Sequence, residues 1–268
     1  RLYDGIEVYG IDQVRLIAKS HELVYTPCHR SHIDYLLLSY VLYHNGLTPP
    51  HIAAGRNLNL PIIGLILRRA GAFYMRRSFR GDTLYREVFD EYLHQMFIRG
   101  FSIEYFIEGG RSRTGRTLPP KTGMLSMTVR SFLRNSNKPI ALLPVYLGYE
   151  RVLESSSYQS ELSGKLKTTE SIFDIFKVFS FFKYDFGKVS VNFGKPLLLR
   201  EFLDEALPNW SDEERPEITK ACTQLGEELV TRINSSVAIK GTNLVALTLL
   251  STDRQSITVK DLRNQVSL

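Results

Sequence analysis

His29 and Asp34 stand five positions apart in the run Cys28-His29-Arg30-Ser31-His32-Ile33-Asp34, between a short apolar stretch and a longer one. An imidazole oriented by a carboxylate is a general base that works near neutral pH. On a regular helix, residues five apart lie about 140° out of phase and do not meet. Contact therefore requires His29 in a loop before a helix that takes in Asp34, with Ser31 as the natural N-cap. Asp34 then bonds one ring nitrogen and leaves the other to accept a proton. The same spacing is common by chance, and a histidine satisfied at a loop–helix corner reads alike. His32 is a competing base without an equally placed carboxylate.

Two further segments carry arginines where a phosphate would need them. In Gly71-Ala72-Phe73-Tyr74-Met75-Arg76-Arg77 a glycine leads into a strand that delivers arginine at its end. The guanidinium is a rigid fork suited to phosphate. In the second, a strand ends at Glu108, Gly109 and Gly110 let the backbone approach a ligand, and Arg111 and Arg113 follow. Backbone amides and arginines of this kind build anion-binding nests, although an exposed basic turn has the same composition. The stretch from Gly110 to Thr117 nearly spells a nucleotide-binding P-loop, with Arg116 in place of lysine. A P-loop opens directly into a helix, which Pro119 and Pro120 oppose, and Glu108 would repel a triphosphate. Pro144 interrupts an apolar strand; proline is disfavoured inside a central strand, so it predicts a sheet edge or a strand end near a site.

The elements that must position these residues alternate. Strand-like runs fall at 23–26, 51–54, 72–75, 103–107, 141–147 and 189–193, and helix-like runs at 33–43, 60–69, 83–98 and 122–133. This order predicts an α/β fold with a mostly parallel, mixed sheet flanked by helices. After Pro196 the pattern turns helical. An acidic start at 211–214 leads into a helix reaching 235, with Pro216 in its first turn, and an apolar helix follows at 237–250. The expected division is a catalytic domain over 1–200 and a helical extension over 201–268, whose last residues, from 256 on, read as the beginning of a further module.

Composition narrows the partners. Hydrophobic residues make up 43% and charged residues 23% of 268 positions, which is ordinary for a folded domain. Two distant cysteines, Cys28 and Cys222, do not make a disulfide framework and point to a reducing compartment. The chain starts at Arg1 without a signal-peptide pattern and reads as a piece of a longer protein. A net charge of +6 favours an anionic partner. The basic residues cluster around glycine turns, not along one helix face, which fits a phosphate pocket and argues against nucleic acid. The six histidines show no metal-ligand spacing. No apolar run reaches the roughly 18–20 residues that span a bilayer. Residues 58–67, ending at Arg68 and Arg69, and 172–186, with Lys177 and Lys183, combine apolar and basic character. Each suits either a membrane surface or a buried helix.

Taken in order, these segments resemble the glycerolipid acyltransferase family. Its H-x4-D block is matched by His29 and Asp34, its second block by Gly71, Phe73, Tyr74 and Arg77, its third by Glu108 and Gly109, and its fourth by Pro144. The match runs from about Val24 to Pro196, and the text of 106–116 and 120–128 is most similar to the bacterial membrane-associated glycerol-3-phosphate branch. Tyr74-Met75 departs conservatively from the usual phenylalanine and branched aliphatic. The resemblance implies acyl transfer from acyl-CoA or acyl-carrier protein to the 1-hydroxyl of glycerol 3-phosphate, with His29 as base, Asp34 as its orienter and no acyl-enzyme. It implies that Arg77, Tyr74 and the segment Glu108, Gly109, Gly110, Arg111 hold the acceptor, with Glu108 bonding a glycerol hydroxyl. The Pro144 strand would shape the thioester side. It further implies no cofactor, and a peripheral, monotopic enzyme on the anionic cytoplasmic face of the bacterial inner membrane. Relatives that use dihydroxyacetone phosphate or lysophosphatidate, and a non-catalytic lipid- or phosphate-binding module, are the alternatives.

Overall fold

A computed structural model describes residues 3–59, 61, 63–76, 78–79, 81–134, 139–155, 158–159, 163, 186–207, 215–252 and 256–267. Its strands are β1 (Gly5–Tyr9), β2 (Glu22–Pro27), β3 (His51–Gly55), β4 (Ala72–Met75), β5 (Ile103–Glu104), β6 (Ile140–Tyr149), β7 (Lys188–Phe193) and β8 (Leu197–Leu198). Its helices are α1 (Ile11–Ile17), α2 (Asp34–His44), α3 (Ile63–Arg69), α4 (Thr83–Ile98), α5 (Thr122–Arg134), α6 (Leu199–Ala206), α7 (Arg215–Ser235), α8 (Gly241–Ser251) and α9 (Val259–Val266). The sheet order is β1-β7-β6-β2-β5-β3-β4, with β8 also on β6. Strands β6, β2, β5, β3 and β4 run parallel, while β7 and β8 run against β6 and β1 runs with β7. The expected mixed, mostly parallel α/β sheet is therefore present. The near-continuous apolar runs of β2 and β6 follow from helices covering both faces.

The two faces can be told apart from register. Tyr25 pairs with both Glu104 and Leu143, so these side chains share a face, and Tyr149, six residues beyond Leu143, shares it too. Tyr105 points the other way, and its hydroxyl meets Thr128 of α5 at 3.2 Å. Helix α2 brings Asp34 to the Tyr149 side. The core is continuous across the sheet and includes Leu225, Leu229 and Ile233 of α7, which packs on α5 and β6. Pro216 lies in the first turn of α7, where a missing amide costs least.

Two expectations are corrected here. The strand expected over 103–107 has only two paired residues. Tyr105 N still donates to Tyr25 O, but Gly109 N then turns back to Phe106 O and Lys121 N takes Ile107 O, so the chain leaves the sheet to form a loop. Pro144 lies neither at an edge nor at a strand end. It sits inside β6, opposite Thr26 of β2. The strand tolerates it because its carbonyl, which accepts from Gly194 N at 2.9 Å, faces the break between β7 and β8. The missing N–H falls on that same side and interrupts no ladder bond. Strand β1 completes the far edge, a position the sequence pattern did not single out.

Of the two apolar-basic stretches, residues 172–185 lie outside the described residues. Helix α3 exposes Leu65 and Ile66 beside Arg68 and Arg69. Among the described residues no helix is long and apolar enough to cross a membrane.

Candidate active site

The loop between β2 and α2 folds around a single carboxylate. Asp34, the first residue of α2, is fully buried. Its Oδ2 accepts from the backbone N–H of Arg30 at 2.6 Å and of Ser31 at 2.9 Å, and from His29 Nδ1 at 2.8 Å. Its Oδ1 accepts from the Tyr149 hydroxyl at 2.5 Å. The five-residue spacing thus works because residues 29–31 wrap the carboxylate before the helix begins. Since Oδ2 already accepts two amides, the third contact must be Nδ1–H donating, which leaves Nε2 as the basic nitrogen. Among the described residues nothing bonds Nε2. The ring is stacked on Phe106, centroids 3.8 Å apart, and its side chain keeps 15% exposure, enough for a reactant to reach it.

Ser31 does not cap the helix, contrary to expectation. Ile33 occupies the N-cap position, and the Ser31 hydroxyl donates instead to Glu154 Oε2 at 2.8 Å. Glu154 Oε1 also accepts from His32 N at 2.8 Å and from Arg111 Nη1 at 3.1 Å. Arg111 donates to the Tyr158 hydroxyl at 3.0 Å, and that hydroxyl donates to Arg30 O at 3.0 Å. The segment after β6 therefore locks the base loop and the glycine–arginine loop together.

Glu108 is the second brace. Its Oε1 accepts His29 N at 2.8 Å, its Oε2 accepts Leu118 N at 2.6 Å, and Arg30 Nη1 lies 3.3 Å from both oxygens. Protein donors thus occupy both oxygens. Arg30 continues the chain through Thr117 to Asn234 of α7. Gly109 adopts φ 63°, and a Cβ there would come within 2.7 Å of the Lys121 side chain. Gly110 faces open space, and Ser112 N ties the loop back to His29 O at 2.9 Å.

The structure thus brings His29, Asp34, Glu108, Gly109, Gly110 and Arg111 into one corner at the C-terminal ends of the parallel strands, where open α/β sheets place their ligands. Pro144 lies in the adjacent strand. Tyr74 does not join the corner directly: it is on the edge strand β4, donating to Gly64 O at 3.2 Å beneath Arg68. Arg77 lies outside the described residues. Arg76 pairs with Asp82 and stacks on Tyr85. Tyr149, Glu154 and Tyr158 had no local signal: Tyr149 is 115 positions from Asp34, and Tyr158 is 128 from Arg30.

Burial shapes the remaining acidities. Beneath Asp34, Glu104 is fully buried with neither oxygen hydrogen-bonded. Burial, then the Asp34 charge, pushes its carboxyl well above the usual range, which favours the neutral acid. Cys28, next to the base, is pushed up to about 12, chiefly by burial, and Leu147 N donates to its sulfur at 3.2 Å. Such a thiol is a poor nucleophile.

Residues 5–148 match the family model described as "Acyltransferase", and residues 158–268 match "Glycerol-3-phosphate acyltransferase C-terminal region". The chain is 58% identical over 263 residues to a glycerol-3-phosphate acyltransferase of Pseudomonas syringae pv. tomato, covering 96% of this chain and 32% of that protein. It is 57% identical over 274 residues to one of Pseudomonas entomophila, covering 100% and 33%. The chain thus spans about a third of the length of these curated relatives. Among solved structures, the 1-acyl-sn-glycerophosphate acyltransferase of Thermotoga maritima matches with a TM-score of 0.47 at 17% identity, covering 88% of this chain and 74% of that one. With the first family model matching more than half of its length, including His29, Asp34 and the Glu108 loop, the chain belongs to the acyltransferase family.

Proposed function

We propose that this chain carries the active site of a glycerol-3-phosphate 1-O-acyltransferase. It moves a fatty acyl group from acyl-CoA or acyl-carrier protein to the sn-1 hydroxyl and makes 1-acyl-glycerol 3-phosphate, the first step of phospholipid synthesis. The observation that carries this reading is the 2.8 Å bond between His29 Nδ1 and a buried Asp34 whose other contacts are all donors. Nε2 takes the proton of the hydroxyl while its oxygen attacks the thioester carbonyl carbon. The tetrahedral intermediate collapses, the C–S bond breaks, and the imidazolium returns the proton to the leaving sulfur. No acyl-enzyme forms, in keeping with the raised Cys28 thiol.

The acceptor's phosphate is held by Arg77, Tyr74 and the Gly109-Gly110-Arg111 segment. Glu108 acts through the backbone it braces, because protein donors already occupy its oxygens. The β6 strand around Pro144 shapes the thioester side. The names of the 57–58% identical relatives support this acceptor. The net charge of +6, with Leu65 and Ile66 exposed beside Arg68 and Arg69, supports work on an anionic cytoplasmic membrane face.

The test is purified protein in detergent with labelled glycerol 3-phosphate and each donor in turn, followed by product analysis. Wild type should yield lysophosphatidate, and His29→Ala should lose roughly 10²–10⁴-fold in rate with glycerol-phosphate binding unchanged. Equal turnover by His29→Ala would sink the mechanism, and faster use of dihydroxyacetone phosphate would reassign the acceptor.

A further inference from the structure

We propose that Tyr149 is a positioning residue for the reaction, acting through Asp34 to set the orientation and basicity of His29. The inference rests on the reading of His29 as the base. The two oxygens of Asp34 are unequally served. Among the described residues Oδ2 has three donors, from His29, Arg30 and Ser31, whereas Oδ1 has the Tyr149 hydroxyl alone. With the carboxylate fully buried, that one hydroxyl decides whether Oδ1 is satisfied and how the plane of the group is turned. The donor itself is firmly placed. Tyr149 ends the ten-residue central strand β6, pairs in register with Val189, and packs on Tyr3 with ring centroids 5.7 Å apart. Burial, then the Asp34 charge, pushes its hydroxyl well above the usual tyrosine range, so it remains a proton donor wherever the base works.

A donor on Oδ1 draws charge out of the carboxylate. Less charge faces the ring, so the imidazolium is less stabilised than it would be beside a carboxylate without that donor. Removing the hydroxyl concentrates charge on the carboxylate and raises the pKa of His29. Among the described residues, the other charged groups around the pair are Arg30 in the same loop, Glu108 and Arg111 in the loop after β5, and Glu154 after β6. Glu104 on β5 is neutral, and the buried tyrosines Tyr3, Tyr35 and Tyr158 and the Cys28 thiol also feel Asp34. A tyrosine-to-phenylalanine change alters none of these.

The experiment compares wild type, Tyr149→Phe and Tyr3→Phe, the last removing a neighbouring hydroxyl that has no partner among the described residues. For Tyr149→Phe, kcat should fall roughly tenfold or more, with KM for both substrates little changed. The acid limb of kcat/KM should move to higher pH, and the His29 imidazole followed by NMR should titrate at higher pH by about the same amount. Tyr3→Phe should leave both where they are. A Tyr149→Phe protein that folds normally but keeps the wild-type His29 titration overturns the proposal, as does an equal shift in Tyr3→Phe. The NMR titration needs no turnover. Failure of wild type to transfer acyl groups would therefore refute the proposed function, while an unmoved titration would refute this inference alone.

Discussion

The corner at His29 and the edge around Tyr74 belong to one sheet and are held by different means. At the corner, Asp34, Glu108 and Glu154 each accept three or more contacts from separate segments, all of them buried or half-buried. At the edge, strand β4 has four residues, and Arg68, Tyr74, Tyr85 and Tyr92 line an open groove of about 420 Å³. Its contacts are ring faces and half-exposed guanidiniums, such as Arg68 over Tyr74 and Arg76 over Tyr85. Ring stacks tolerate small displacements, whereas a fully paired buried carboxylate does not. The corner has the rigidity that the proposed proton transfer would need, with its atoms fixed to fractions of an ångström.

Glu108→Gln should separate the two regions most sharply. Each Glu108 oxygen accepts a backbone N–H, so one side of the amide would present a donor to a donor, and buried Arg30 would lose its counter-charge. A loss of about 3–5 kcal/mol in urea unfolding is expected. A loss under about 1 kcal/mol would mean that the corner is no stiffer than the edge.

Glu104→Gln should act in the opposite direction. Glu104 is neutral in the folded chain and ionised in the unfolded one above its free value of about 4.3, so the unfolded state binds fewer protons. Wild-type stability therefore falls as pH rises from there towards the folded-state pKa, by up to about 1.4 kcal/mol per pH unit. Glutamine removes that slope, and the gain in melting temperature should grow from pH 5 to pH 7. A gain independent of pH would place an ionised carboxylate under Asp34. The smallest effect is expected at the edge. Tyr74→Phe gives up one 3.2 Å bond to Gly64 O and should cost no more than about 1 kcal/mol. A larger loss would show the edge to be as tightly built as the corner.

Much of the scaffold was legible from apolar periodicity. The limits 72–75 and 83–98 coincide with β4 and α4, because a glycine turn bounds one and an Asp82 cap the other. The misreadings share a cause. Pro144 was read as an edge residue from a rule about ladder bonds, yet whether a ladder bond is lost depends on which strands flank it, and β7 and β8 part there. Ser31 has the composition of a cap, but Glu154, 123 positions away, claims its hydroxyl. The strand expected over 103–107 breaks off early because Glu108 must turn back to brace His29.

The sequence by itself determined the pairing of His29 with Asp34, because five positions are enough for a loop to close over the first residue of the following helix and no distant residue is needed. It also determined that glycines and arginines follow Glu108 directly, although not where their strand ends. Only the tertiary structure decided what holds that pair. Tyr149, Glu154 and Tyr158 arrive on a parallel neighbour strand and the segment after it, more than a hundred residues along the chain. Parallel strands can be joined only through long crossovers, so residues that meet at their C-terminal ends leave no local spacing to read.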